Sequence, residues 1–192
     1  EYYSALRALR ALEHADVALV VVDAAEGLVD LDLQIAYEAQ RAKCATAILC
    51  NKWEISTLDL EKATERVAAK VQMKPRWITV SALTGRGIDK ILPLARELHG
   101  LYSARIPTAE LNRWLEDVRL RRPPAAKGGK TIKTFYIVQY DASPPRFKVM
   151  VNARALVNKS FAYYLENRLR EDYKMWGVPL VIDFEGKEER YS

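Results

Sequence analysis

Three short apolar runs, Val17–Val22, Ala45–Cys50 and Arg76–Val80, are separated by two segments of helical periodicity. This alternation constrains the fold more than any other feature. Apolar runs of strand length, the first rich in β-branched residues, read as members of a parallel sheet covered by helices. Consecutive parallel strands require a crossover, and a helix supplies one with right-handed sense. The crossover helices are Leu31 to about Ala42 and Leu60 to about Val71, the second with Asp59 as its N-cap. Tyr2, Leu6, Leu9 and Leu12 recur at helical spacing ahead of the first run. Thr84-Gly85-Arg86-Gly87 turns the chain into a further amphipathic helix, Ile88–Leu101. Val17–Val22 is expected to be buried on both faces. Three strands alone would leave an open sheet edge beside it, an aggregation liability that an intact protein would cover.

The pattern changes near Ile106-Pro107. Thr108 can cap a helix reaching about Leu120, with Leu111, Trp114, Leu115 and Val118 on one face. Lys133–Tyr140 and Arg146–Asn152 alternate around an Asp141–Pro145 turn and read as a hairpin. Ser160 to about Trp176 is helical, with Phe161, Tyr164, Leu165 and Leu169 inward, and Val178–Phe184 is a last strand. The division is therefore 1–104, α/β with three parallel strands, and 105–192, a small α+β module of order α-β-β-α-β.

Charge follows the same division. Residues 1–104 carry 13 Lys and Arg against 14 Asp and Glu, whereas residues 105–192 carry 17 against 11, so a polyanion would meet the second half. An apolar fraction of 49% with four Trp, ten Tyr and four Phe argues for folded structure. No run approaches the ~20 apolar residues of a membrane span. Cys44 and Cys50 lie at one strand with no metal-ligand cluster, which suits buried thiols in a reducing, cytoplasmic compartment. Glu1 is not Met, no signal peptide is present, and a helical pattern is already under way, so the chain is expected to be a fragment of something longer.

The chemistry lies at two strand ends. Asn51-Lys52-Trp53-Glu54 follows the second run, and Ser81-Ala82-Leu83 ends the third. In open α/β sheets the carboxyl ends of strands are where ligands bind. Guanine presents N1–H and N2–H₂ side by side with the O6 acceptor, and a fixed carboxylate takes both donors in a fork that adenine cannot match. Glu54 stands where that carboxylate belongs. Asn51 would tie the loop to neighbouring backbone, the stem of Lys52 would lie along the base with its ammonium in solvent, and the Ala82 N–H would serve O6. Ser81 and Leu83 complete the turn, and Gly85 and Gly87 let the chain enter the following helix. Either motif alone is common; at the ends of consecutive strands they are specific. Asp23, at the end of the first run, is read as a turn-shaping residue. No Gly-x-x-x-x-Gly-Lys-Ser/Thr phosphate loop occurs, and no catalytic or metal-ligating residue is assigned.

The segments beginning Glu1-Tyr2-Tyr3-Ser4-Ala5-Leu6, Val21-Val22-Asp23-Ala24-Ala25-Glu26-Gly27, Asn51-Lys52-Trp53 and Tyr164-Leu165-Glu166-Asn167-Arg168 resemble the bacterial tandem GTPases of the Der family, also called EngA. The resemblance covers nearly the whole chain. It implies the C-terminal part of a Ras/Era-like P-loop GTPase domain, first strands missing, followed by a KH-like domain. It further implies GTP/GDP as nucleotide, with Mg²⁺ only in the intact parent, and a role in assembling the large ribosomal subunit. The partners so implied are rRNA and the missing upstream GTPase domains. Residues 1–192 alone are expected to bind nucleotide weakly or not at all and to hydrolyse none. The family motif is Asn-Lys-x-Asp; the extra methylene of Glu54 is expected to weaken guanine selectivity without abolishing it.

Arg119, Arg121, Arg122, Lys127, Lys130 and Lys133 fall within fifteen residues that contain no acid. Such a tract suits phosphate backbone; it also suits a solvated loop beside a helix C-terminus, where the dipole favours cations. Charge asymmetry and the resemblance favour rRNA contact. The connection Val157–Ser160 has no glycine, so a Gly-x-x-Gly clamp on single-stranded RNA is not expected. Most aromatics of this half sit at core spacing. A second reading is a non-enzymatic RNA-binding or interaction protein that keeps a relic GTPase sheet. The residues preceding Glu1 would discriminate the two: a phosphate loop and Asp-x-x-Gly support the first, an initiator Met the second.

Overall fold

The computed structural model describes residues 10–121 and 131–187. The chain divides into two compact units, one running to Tyr102 and including Trp176–Pro179, the other comprising Ser103–Met175 and Leu180 onward.

The first unit contains the three expected strands, β1 (Val17–Asp23), β2 (Ala45–Asn51) and β3 (Arg76–Thr79), in the order β1-β2-β3. All pairings are parallel, with Asp23 opposite Asn51 and Cys50 opposite Thr79. The strand ends that carry the candidate residues are therefore adjacent. Helices α1 (Asp30–Arg41) and α2 (Leu60–Lys70) are the crossovers, and α3 (Ile91–Ser103) follows β3. α1 starts where Asp32 accepts the Val29 N–H at 3.0 Å, and α2 starts where Asp59 accepts the Lys62 N–H at 3.2 Å, which leaves fewer orphan donors at each N-terminus. Leu33 and Ala36 of α1 and Ala63 and Val67 of α2 form one core with Val20, Val22, Ile48 and Cys50.

The expectation that Val17–Val22 is buried on both faces requires correction. Ala18, Val20 and Val22 are buried, but Val21 is 58% exposed. β1 lies at the sheet edge, so its second face is not enclosed as that of the middle strand is; all residues of β2 from Ala45 to Cys50 are buried.

The second unit contains α4 (Thr108–Arg121), β4 (Thr134–Asp141), β5 (Arg146–Val151), α5 (Lys159–Asp172) and β6 (Val181–Gly186), the expected α-β-β-α-β order. The sheet order is β4-β5-β6, antiparallel and then parallel. Leu111, Trp114, Leu115 and Val118 are buried as expected, with Ile137, Phe147, Val149, Leu165 and Leu169. The aromatics are divided: Phe147 and Phe184 are core, whereas Phe135, Tyr140 and Tyr163 are exposed.

Of the boundaries that differ from the sequence reading, three have an identifiable cause. α4 includes Thr108, because the Pro107 carbonyl takes the Glu110 and Leu111 N–H groups and so precedes the first turn. α5 stops at Asp172: Tyr173 N–H closes on the Leu169 carbonyl, and Lys174 is left-handed at φ 53°. β6 begins at Val181 rather than Val178, because Trp176–Pro179 belongs to the first unit. There Gly177 donates to the Met73 carbonyl at 2.9 Å and accepts from the Thr46 N–H at 2.7 Å. Its φ is +76°, and a Cβ would lie 2.4 Å from the Thr46 oxygen, so only glycine fits.

Candidate functional site

β2 ends at Asn51, and the chain then turns sharply. Lys52 is left-handed (φ 59°, ψ 36°), and Trp53–Ile55 form one 3₁₀ turn. This turn is tied to the end of the neighbouring strand by Trp53 N–H donating to the Val80 carbonyl at 3.2 Å. Asn51 Oδ1 accepts the Ala82 N–H at 3.0 Å. The two motifs, thirty residues apart in sequence, therefore share one corner, and Asn51 is the side chain that joins them to backbone.

The following loop is rigid for identifiable reasons. Ser81 is fully buried; its N–H donates to the Arg86 carbonyl, and its carbonyl accepts from Gly85, both at 2.9 Å. Its Oγ accepts the Thr84 N–H at 3.1 Å. Gly87 closes the loop with φ +75°, and a Cβ there would meet the Thr79 oxygen at 2.6 Å. Glycine is required by conformation and by space. Leu83, at the loop tip, is 85% exposed.

Glu54 projects from the 3₁₀ turn as an exposed carboxylate. A hydrogen bond from the Ser81 hydroxyl holds its pKa below the ordinary glutamate value, with help from its own backbone and from the Lys52 charge. The group is anionic and exposed. That is what a carboxylate needs to accept paired N–H donors.

Two details depart from the sequence reading. The Lys52 ammonium is not free in solvent: it pairs with Asp23 Oδ2 at 2.5 Å. The Ala82 N–H is directed at Asn51 rather than left vacant for a ligand. Asp23 has a larger part than its turn alone. It does shape its turn, since Oδ1 accepts the Ala25 N–H at 3.0 Å, but its other oxygen reaches across to Lys52. The signal was available in the equal alignment of β1 and β2, which sets Asp23 beside Asn51. Ser56 and Thr57, singled out by no motif, bond through their hydroxyls to the Ala24 and Ala25 carbonyls at 3.3 and 3.2 Å and join the loops further.

Among the six basic candidates, Arg122, Lys127 and Lys130 lie outside the described residues. Arg119 uses one guanidinium nitrogen internally, donating to the Thr134 carbonyl at 2.8 Å. This brings it beside Lys133, whose main chain exchanges two 2.9 Å bonds with Asn152. Arg121 ends α4 and is exposed. In place of a glycine loop before α5, Asn158 caps the helix by accepting the Phe161 N–H at 2.8 Å. Among the described residues, no group of three or more His, Cys, Asp or Glu is arranged to hold a metal ion, and no helix is long and apolar enough to cross a membrane.

Residues 105–185 match the family described as the KH-domain-like domain of EngA bacterial GTPase enzymes, C-terminal. The whole chain is similar to the protein named GTPase Der of Chloroflexus aggregans, 41% identical over 99% of this chain and 44% of that protein. The Der proteins of Desulforudis audaxviator and Thermomicrobium roseum are 38% and 37% identical over 99% and 98% of this chain. The chain spans less than half the length of these relatives, 44% and 42% respectively for the last two.

Proposed function

We infer, for a chain that corresponds to the C-terminal portion of a Der-type GTPase, that its first unit supplies the guanine-reading edge of a GTP/GDP site. The observation that carries this is the joined corner, Asn51 holding the Ala82 amide, with the anionic Glu54 exposed on the adjoining turn. A guanine seated there would offer N1–H and N2–H₂ to the Glu54 carboxylate and O6 to the Ala82 N–H, shared with Asn51 as a three-centre bond. The methylenes of Lys52 would cover one face of the ring. Adenine would leave the carboxylate unpaired, which is the basis of discrimination. Phosphate binding, Mg²⁺ and hydrolysis would fall to a phosphate loop and switch segments that are not among residues 1–192.

The second unit serves, on this reading, as a KH-like docking module for structured rRNA of the large ribosomal subunit or for upstream GTPase domains, in the cytoplasm. Its excess of basic residues supports this, and the capped, glycine-free entry to α5 argues against clamping of single strands. The test of the nucleotide reading is competition in the full-length protein that carries these residues. GDP binding should resist a large excess of ADP; equal displacement by ADP would contradict the guanine edge. For the module, rRNA affinity should fall steeply with added salt; a flat response would contradict phosphate docking.

A further inference from the structure

Lys52 is the corner residue whose conformation needs the most support. A left-handed backbone is unfavourable for a residue with a Cβ, and a four-carbon side chain has many rotamers to lose when a ligand fixes it. Its ammonium, however, is already fixed. Asp23 Oδ2 lies 2.5 Å away, and Asp23 is itself held by the Ala25 N–H on Oδ1 at 3.0 Å. The register Asp23↔Asn51 sets the two residues at the ends of adjoining strands. With Cα set by the turn and Nζ set by Asp23, the methylenes between them span a fixed path. The other charges acting on the ammonium, from Glu26 and Glu54, are weaker than that of Asp23.

We propose that Asp23 is a positioning residue for nucleotide binding: it pins the Lys52 ammonium so that the lysine stem forms a preset floor under the base. The proposal rests on the guanine reading above and adds to it a residue that touches no nucleotide. Because the stem is immobilised before the ligand arrives, binding avoids much of the ordering cost of a rotamer-rich side chain. The floor is indifferent to the 2-amino group, so it contributes affinity without contributing base preference.

The experiment measures GDP and IDP affinities of the full-length protein and its variants. Asp23→Asn keeps an acceptor for the Ala25 N–H and removes the charge; GDP and IDP should both weaken by about 3- to 10-fold, with their ratio unchanged. Lys52→Met keeps the stem, loses the pin and leaves Asp23 and its turn in place; it should show a similar fall. The double variant should be no weaker than Lys52→Met alone, because one interaction is being removed twice. Wild-type GDP affinity in Lys52→Met or in a folded Asp23→Asn would overturn the positioning role. If Glu54→Gln also left the GDP-to-IDP ratio unchanged, the guanine reading would fall with it; a changed ratio would confine the failure to Asp23.

Discussion

Ser81 Oγ accepts the Thr84 N–H at 3.1 Å, and the same hydroxyl is the main influence holding the Glu54 pKa below its ordinary value. A buried serine thus acts on an exposed acid, and its own orientation is set by the loop it begins. Ser81→Ala should let the Glu54 pKa rise toward its ordinary value. A depressed carboxylate pKa favours the functional, ionised form down to lower pH, so the acid limb of GDP affinity should move upward in the variant, from below the ordinary glutamate value toward about pH 4.3. Affinity measured against pH checks this; an unmoved limb would mean that Ser81 does not hold Glu54.

Gly87 and Gly85 have similar φ values, +75° and +77°, but different surroundings. A Cβ at Gly87 meets the Thr79 oxygen at 2.6 Å, whereas one at Gly85 meets nothing within 4 Å. Gly85→Ala should cost about 1 kcal/mol from backbone strain alone. Gly87→Ala should cost more, about 2–4 kcal/mol, because the loop must shift as well. Only the second should also weaken GDP binding, since the shift displaces Ser81 and Ala82. Thermal unfolding with nucleotide titration compares the pair.

In the second unit, Asn158 supplies the helix cap that the sequence shows as a glycine-free connection. Asn158→Ala should destabilise this unit by about 1 kcal/mol, and Asn158→Ser should restore most of the loss. Denaturant unfolding of the pair tests the cap; equal stability of the alanine variant and wild type would contradict it.

Tyr173 gives the second unit an alkaline limit. Burial, with the Glu110 carboxylate nearby, pushes its phenol up to about 12. A folded-state pKa raised above the unfolded value of about 10 favours the native protein below pH 10. That contribution is lost as pH rises through about 12. Tyr173→Phe keeps the edge contact with Trp114, whose ring centroid lies 6.2 Å away, but cannot ionise. Melting curves should therefore fall less steeply above pH 10 in the variant than in wild type.

The periodic features of this chain were legible because they are local. Asp59 precedes an amphipathic run and caps it, and the strand ends carrying Asn51 and Ser81 fall where apolar runs stop. The features that were not legible depend on distant partners. Val178 belongs to an apolar run, yet Gly177 before it is claimed by Thr46 and Met73, so pairing with β5 starts later. Arg170 would ordinarily be read as solvent-facing on α5, but it is fully buried, bonded to Glu166 at 2.7 Å and to the Met175 carbonyl at 2.9 Å. Asp23 and Lys52 are linked by strand register, which a motif confined to one segment does not express.

The central claim is that Glu54 reads the amino edge of guanine. IDP lacks the exocyclic amine and otherwise matches GDP, so the ratio of their affinities in the full-length protein isolates that contact. Wild type should prefer GDP, and Glu54→Ala should reduce the preference by roughly 10-fold or more, bringing the two nucleotides close to parity. A preference for GDP that survives intact in Glu54→Ala would contradict the account.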